Sequence, residues 1–238
     1  MKITIHQPEH MPWAGFFQKV YMADIYVVLE NVQYRRRYFQ NRNKIRTKDG
    51  WQWVTVPVEK DDRDELLIKD VLISKEDRKW KRENLGRIYH GYCKAPYFKP
   101  YWDDFKNIYA KDHQYLGEFN KGLLRFFFGV LGLNKKIVSS SELNVSSKKG
   151  DLIFDICKTL GADTYISGIS GKDYLDIQKF KDQNIEVVMQ EFHHPIYEQQ
   201  FDPFVPCMSI IDLLFNCGGR SLDIINGVNV PVMSELFL

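Results

Sequence analysis

The residues best suited to chemistry lie close to the start of the chain. His6 and Gln7 follow a short apolar run at residues 3–5, and after two prolines the sequence continues into Trp13. This order predicts a strand, a turn and then a helix that begins near Trp13. Polar groups at the carboxyl end of a strand beside a helix N-terminus are typical of α/β binding sites. His6 is our candidate general base, since the reference pKa of imidazole is about 6.5; the alternative is a hydrogen-bonded core histidine.

A basic segment rich in side-chain amides comes next. Residues 35–46 contain six arginine or lysine residues and no acidic residue, and Gln33 precedes them. Such a cluster suits a phosphorylated or carboxylated ligand. A solvated basic loop would explain the charges alone, but it would not need the amides that alternate with them. We therefore predict that Asn41, Arg42 and Asn43 bind substrate.

Two strand-loop-helix-strand units are expected to position these groups. Residues 23–29 read as a second buried strand, which should pair in parallel with the first through a right-handed crossover. Residues 164–168 and 185–189 predict a second unit of the same kind, and its first loop carries Lys172 and Tyr174. Loops at the carboxyl ends of one parallel sheet face one crevice. We therefore predict an α/β fold with a parallel sheet and one shared crevice.

The remaining segments predict additions to this sheet. Residues 50–58 alternate as a strand that ends at Pro57, and with residues 42–45 they would form a small hairpin. Residues 66–73 predict a further strand.

A helical insertion and a C-terminal helix complete the expected fold. Ser74 is the expected cap of the first helix in a helical layer or subdomain at residues 74–133. Near the C-terminus, Ser209 and Asp212 have the spacing of a capping box. We treat residues 1–238 as one domain.

Composition limits the possible partners and locations. The chain has 238 residues with 33 basic and 31 acidic side chains, a formal charge of +2. This balance does not predict nucleic acid as a partner. No apolar run reaches the roughly 20 residues of a membrane span, and no signal peptide is apparent, so we expect a cytoplasmic protein without membrane contact. The four cysteines are scattered, and neither a zinc site nor any other metal site is predicted.

A set of short motifs spread through nearly the whole chain carries a family resemblance. The motifs are His6-Gln7-Pro8, residues 12–17, Lys19, Ala23-Asp24, Gln33, Asn41-Arg42-Asn43, residues 53–57 and 95–98, Gly168, and residues 194–197 and 209–216. With these motifs the chain resembles the WbqC-like protein family. The resemblance implies a bacterial protein often encoded with genes for surface polysaccharides or other amino-sugar-containing metabolites, but it brings no defined reaction with it. Glu30 follows the second strand, where the family pattern has an Asp.

A more distant resemblance is to nucleotidylyltransferases with the HIGH motif, such as pantothenate synthetase. The order of strand, turn, helix and second strand at the start of the chain is similar to that fold. That motif places two histidines around a glycine, whereas Trp13 and Phe16 flank Gly15 here. An indole or phenyl ring cannot stabilise phosphate charge as those histidines do, which weighs against ATP chemistry. His6, His10 and the basic segment are the possible substitutes.

The enzyme hypothesis is transfer of an acyl or aminoacyl group to the amine of a nucleotide-linked amino sugar, in a cytoplasmic step of glycan assembly. His6 would remove a proton from the attacking amine, and Trp13 would stack on a base or sugar face. The donor is unknown, with ATP or an acyl carrier both open. The predicted substrate-binding residues are Gln7, Trp13, Lys19, Gln33, Asn41, Arg42, Asn43, Lys172, Tyr174 and His194.

Two alternatives remain open. The first is a non-catalytic module of degenerate nucleotidylyltransferase fold that binds a sugar nucleotide or a protein, which the missing motif histidines favour. The second is RNA binding through residues 35–46, with Tyr34, Tyr38 and Phe39 as stacking faces.

Overall fold

A five-stranded parallel sheet organises the chain in the computed structural model, which describes residues 1–60, 66–77 and 79–233. The first strand lies in the middle of the sheet, because the chain adds strands first on one side of it and then on the other. The order across the sheet is β5-β2-β1-β6-β7, and a separate hairpin pairs β3 with β4. The strands are β1 (Lys2–His6), β2 (Ile25–Val28), β3 (Arg42–Thr47), β4 (Gly50–Thr55), β5 (Lys136–Ser139), β6 (Thr164–Ser167) and β7 (Glu186–Met189).

Helices cover both faces of this sheet. They are α1 (Ala14–Tyr21), α2 (Trp80–Tyr92), α3 (Phe98–Ala110), α4 (Leu116–Val130), α5 (Lys149–Thr159), α6 (Ile177–Lys181), α7 (Ile210–Cys217) and α8 (Ser221–Ile225). Alternation along β1 and β2 sends Ile3, Ile5 and Val27 into an apolar core with α5, while Tyr26 packs in a second core with α1 and α4. The predicted α/β fold with a parallel sheet is confirmed and is consistent with a nucleotidylyltransferase-like arrangement. None of the helices formed by the described residues is long and apolar enough to cross a membrane.

The order of the strands reverses between β1 and β6. From β1 the chain crosses to β2 and then β5 on one side, and it returns to add β6 and β7 on the other. The crossover loops on the two sides leave the sheet in opposite directions, so a crevice opens at the carboxyl ends of β1 and β6.

Three helices fall within residues 74–133 and form a largely aromatic layer. Phe105, Tyr109, Phe119 and Phe127 from α3 and α4 are completely buried and contact each other edge to face or at a tilt. Such contacts add to the burial energy of the rings. These aromatic side chains are therefore core residues.

Two predicted elements are wrong. Residues 66–73 do not form a strand, because they make only isolated β-bridges to three separate segments. Leu67 pairs with Gln33, Leu72 with Tyr115 and Ile73 with Val58, and the 3-10 turn Ile68–Asp70 lies between them. The helix expected from Ser74 begins only at Trp80, and the Ser74 amide donates to Pro57 O instead. The hairpin of β3 and β4 is confirmed, although β4 ends at Thr55, two residues before Pro57.

The expected capping box at α7 is also wrong. Ser209 is the N-cap residue, but its hydroxyl makes no cap hydrogen bond and is buried without a partner. Asp212 instead accepts hydrogen bonds from Tyr92 Oη at 3.0 Å, Tyr197 Oη at 2.7 Å and Gln199 Nε2 at 2.8 Å. Three donors, two of them on buried tyrosines, therefore converge on one carboxylate and draw it away from the helix terminus.

Arg46 ties this C-terminal region to the hairpin. Its side chain is almost completely buried, and its guanidinium donates to the carbonyls of Thr47 and Gly50 at the hairpin turn. It also donates to Phe201 O at 3.0 Å and Pro203 O at 2.8 Å. Arg46 belongs to the basic segment by sequence, but its guanidinium binds backbone carbonyls inside the protein and does not face a ligand.

Burial of Asp212 predicts a pH-dependent stability. Desolvation raises the pKa of its carboxyl from 3.8 to about 6, with hydrogen bonds from Tyr197, Gln199 and Tyr92 opposing the shift. The folded state therefore binds more protons than the unfolded state between these values, so the free energy of unfolding falls as pH rises from about 4 to about 6. A shift of about two pKa units corresponds to roughly 3 kcal/mol. Asp212→Asn removes this dependence.

Urea denaturation of wild type and Asp212→Asn across that pH range measures the effect. The stability of the variant relative to wild type should increase by about 3 kcal/mol between pH 4 and pH 7. Taking the difference cancels the other titrating groups. A difference that stays constant with pH would show that Asp212 titrates as an ordinary carboxyl.

Candidate functional site

The crevice at the strand reversal is a cavity of about 580 Å³. Both sequence units contribute to it, since His6 ends β1 and Gln7 follows it, while Gly168, Asp173 and Tyr174 follow β6. The two loops therefore face one crevice, as the sequence predicts. A second cavity of about 660 Å³ lies beside Tyr197 and Gln199. We take the first cavity as the candidate site because the ionisable side chains of His6, Glu9 and Lys19 line it together.

A chain of three polar side chains forms one side of this crevice. Lys19 Nζ lies 2.8 Å from His6 Nδ1, and His6 Nε2 lies 3.0 Å from Glu9 Oε1. An ammonium can only donate, so Nδ1 accepts from Lys19 and Nε2–H donates to the Glu9 carboxylate. We call Glu9, His6 and Lys19 the relay. Both nitrogens of His6 are used within it, so Lys19 is the member with N–H groups left for a ligand.

The relay is formed by local features of the sequence. His6 is the last residue of β1, and Glu9 follows it after a turn through Pro8. Lys19 lies on the last turn of α1, whose other inward residues Phe16 and Phe17 are buried in the aromatic core. The apolar packing of α1 therefore fixes the position of the lysine below the end of the strand.

Burial makes Lys19 a weak base for a lysine. Its side chain is 4% exposed, and desolvation lowers its pKa from 10.5 to about 8, while the nearby charge of Glu9 acts in the opposite direction. Burial and the charge of Lys19 also lower the pKa of His6, again against the effect of Glu9. Near neutral pH the relay therefore holds a lysine that can readily give up a proton and accept it again.

Gly168 leaves the approach to Lys19 open. Its backbone is extended, with φ −70° and ψ 164°, so the glycine is not required by conformation. A Cβ at this position would lie 3.9 Å from Lys19 Nζ. The missing side chain therefore leaves space directly in front of the amine.

The basic segment forms another wall. Arg35 and Tyr38 line the crevice. Gln40 holds the segment in place, since its Nε2 donates to Gln7 Oε1 at 2.6 Å and its Oε1 accepts from the Arg35 amide at 2.9 Å. Gln7 is thus both a lining residue and the anchor for this wall.

Several predicted substrate-binding residues are used for internal contacts. Asn43 Nδ2 donates to His10 O and Met11 O and fixes the turn after β1. Asn41 Nδ2 donates to Val56 O at 2.9 Å. His194 is buried, with Nδ1 2.8 Å from Pro195 O.

The other predicted residues, Trp13 apart, do not lie together. His6, Gln7, Lys19 and Tyr174 line the crevice. Arg42 lies on the outer face of the hairpin, with its guanidinium 4.2 Å from the centre of the Trp53 ring. Gln33 is exposed and bridges to Leu67 through the main chain, and Lys172 is exposed on the 3-10 turn Ile169–Asp173.

Trp13 occupies the position expected of a motif histidine and packs inward. Its ring contacts Phe192 edge to face at 5.1 Å and stacks on His194 at 6.3 Å. The ring also covers Gly15, where an added Cβ would come within 2.6 Å of the indole. The space in front of this glycine is therefore filled by protein.

Neither His10 nor Glu30 lies at the crevice among the described lining residues. His10 is completely buried between Asn120 Oδ1 and Tyr109 Oη, and desolvation lowers its pKa to about 4, so it is neutral. Glu30 is held by Lys121 Nζ at 3.2 Å in the helical layer. Both side chains support the fold around the site.

Glu9 and Gly168 have roles that the sequence interpretation missed. Glu9 stands three residues after His6 within the same turn, a spacing that could have identified it as a partner. Gly168 is among the residues that carry the family resemblance, but its role follows only from the position of Lys19. Among the described residues, no group of three or more His, Cys, Asp or Glu side chains could hold a metal ion.

The relay predicts how the lysine responds to loss of the carboxylate. Glu9→Gln removes the charge that raises the pKa of Lys19, so this pKa should fall below about 8. Reductive methylation with a 13C label and NMR titration measure it, with Lys19→Arg to assign the signal and the exposed Lys172 as an internal reference. A pKa that rises or stays unchanged in Glu9→Gln would contradict the relay.

Comparison with known proteins identifies the family of the chain. The model of the WbqC-like protein family matches residues 7–224, a span that includes Glu9, Lys19 and Gly168. The chain is also similar to the uncharacterized protein Rv1507c of Mycobacterium tuberculosis, with 30% identity over 224 residues that cover 93% of this chain and 96% of the relative. No solved structure matches the chain. The chain belongs to the WbqC-like protein family.

Proposed function

We propose that this protein is a cytoplasmic enzyme that transfers an acyl or aminoacyl group to the amine of a nucleotide-linked amino sugar, in surface-polysaccharide or related amino-sugar metabolism. The observation that carries the proposal is the relay, which presents a buried lysine with a pKa near 8 to the crevice. The route to the amide is general-base assistance to an amine nucleophile.

The chemistry requires a base of this strength. A sugar amine is mostly an ammonium at neutral pH, and it attacks an acyl carbon only after losing a proton. Lys19 Nζ in its neutral form accepts that proton, and the resulting ammonium is stabilised by His6 Nδ1 at 2.8 Å. As the N–C bond of the amide forms, the bond between the acyl carbon and the leaving group of the donor breaks, and coenzyme A or AMP departs. His6 in turn is oriented by Glu9. In this proposal Lys19 meets the substrate, and His6 is the positioning residue.

The size and lining of the crevice support a nucleotide-linked substrate. Its volume of about 580 Å³ lies within the usual range of small-molecule sites. Arg35 provides a positive charge for a diphosphate, and the rings of Tyr38 and Tyr174 provide faces for a base or sugar. The amine would enter the space left by Gly168.

A second candidate function is non-catalytic binding of a sugar nucleotide. The observation that favours it is the inward packing of Trp13 over Gly15, because this packing fills the place where nucleotidylyltransferases have a phosphate-stabilising histidine. The same crevice would then bind its ligand without turnover.

A turnover assay distinguishes the transferase from the non-catalytic binding module. The protein is incubated with a panel of nucleotide-linked amino sugars and either acyl-coenzyme A or amino acid, ATP and magnesium, and amide products are detected by mass spectrometry. Lys19→Met should lower kcat by about 10²- to 10⁴-fold, the usual contribution of a positioned base. Lys106→Met is the matched control and should retain turnover, since Lys106 is exposed on α3, which does not line the crevice.

Three outcomes decide the matter. Product formation that depends on Lys19 supports the transferase. Product formation that survives Lys19→Met would overturn the role of the relay. Ligand-induced thermal stabilisation without product from any donor class would favour the binding module.

A further inference from the structure

We propose that the outer face of the β3–β4 hairpin binds a single-stranded RNA and leads its end toward the crevice. The surface consists of four rings and two cations that we call the aromatic-basic row: Tyr38, Phe39, Trp53 and Trp51, with Arg42 and Lys44 between them.

The register of the hairpin creates the row. Lys44 pairs with Trp53 in the antiparallel ladder, so these side chains share a face, and Arg42 and Trp51 lie two residues along on the same side. The alternate residues, such as Ile45 and Val54, are completely buried against the body of the protein. The row therefore lies on the face opposite to these buried residues. Arg46 is on the same face as the row beside Trp51, but it is buried and bound to Phe201 O and Pro203 O, so it is not part of the row.

The rings run in sequence from the crevice to the hairpin tip. Tyr38 lines the crevice and contacts Phe39 at 5.4 Å between ring centres, Phe39 lies 5.9 Å from Trp53, and Trp53 lies 5.5 Å from Trp51. The two ends are open to solvent, with Tyr38 43% and Trp51 44% exposed. The row thus begins at the crevice mouth.

The cations are interleaved with the rings. The Arg42 guanidinium lies 4.2 Å from the centre of Trp53, and Lys44 Nζ lies 4.6 Å from that of Trp51 and 5.7 Å from that of Trp53. Arg35, Arg36 and Arg37 are exposed next to this face. No acidic residue occurs between positions 31 and 48 of the sequence.

This chemistry fits a single-stranded polynucleotide. Splayed bases stack on aromatic rings and on guanidinium planes, while their phosphates pair with neighbouring cations. An anionic glycan would also pair with the cations, but its sugars would present C–H groups to the rings, whereas bases present π-faces. The near-zero charge of the whole chain argued against nucleic acid at the level of sequence, but the structure gathers basic groups on one face. RNA binding here does not depend on the proposed transfer reaction.

Fluorescence anisotropy with a labelled single-stranded RNA of mixed sequence, roughly 12 nucleotides long to match known single-strand sites, tests the proposal. Trp51→Ala should weaken binding by at least about fivefold, the lower end of the stacking range. Lys44→Met should reduce the slope of log affinity against log salt by about 0.7, the value for one phosphate contact on a single strand.

The matched control is Tyr21→Ala. Tyr21 is 46% exposed and has Lys135 Nζ 5.6 Å from its ring centre, so it repeats the ring-and-cation pair outside the row. Its removal should leave RNA affinity unchanged. Circular dichroism verifies that each variant is folded.

Four results would overturn the proposal. These are absence of binding at low salt, equal effects of Trp51→Ala and Tyr21→Ala, an unchanged salt slope in Lys44→Met, or a heparin-like glycan that binds as tightly as RNA with the same dependence on Trp51. The last result would assign the row to a glycan.

Discussion

The cost of burying the Lys19 ammonium is the constraint around which the site is built. An isolated buried ammonium is strongly disfavoured, so it needs a hydrogen-bond acceptor and a compensating charge. His6 provides the acceptor at 2.8 Å, and Glu9 provides the charge through the other side of the imidazole. These residues come from the end of β1, the turn after it and α1, so the lysine can be accommodated only if the whole opening unit folds together. The charge of Glu9 offsets only part of the desolvation cost, and the rest lowers the pKa of Lys19 to about 8.

The helical layer supports this unit from outside the sheet. Asn120 on α4 donates to Pro8 O at 3.1 Å and to Gln40 O at 2.7 Å, and so holds both the turn after β1 and the segment that forms the crevice wall. Its own carbonyl oxygen lies 3.2 Å from His10 Nδ1. The insertion at residues 74–133 therefore shapes the crevice without lining it among the described residues.

The sequence predicted the elements whose patterns are local. Runs such as residues 23–29 identified the parallel strands, and their order in the chain placed His6 and the loop that holds Tyr174 at one crevice. The sequence-based prediction failed where long-range contacts determine the local structure. Residues 66–73 are apolar like a strand but find three separate partners, and Asp212 turns from its helix terminus to meet Tyr92, which lies 120 positions away. The sequence also does not distinguish an asparagine that binds a substrate from one that donates to the carbonyls of a turn, as Asn43 does.

Ligand-dependent stability of wild type and Gly168→Val tests the central claim that ligands approach Lys19 through the crevice. The extended backbone of Gly168 accepts valine, and the new side chain would fill the space in front of Lys19 Nζ. A nucleotide-linked amino sugar at about 100 times its dissociation constant should stabilise wild type by about 2.7 kcal/mol in thermal unfolding. The account predicts this stabilisation for wild type and its loss in Gly168→Val. Equal stabilisation of both proteins, or none of wild type by any sugar in the panel, would contradict it.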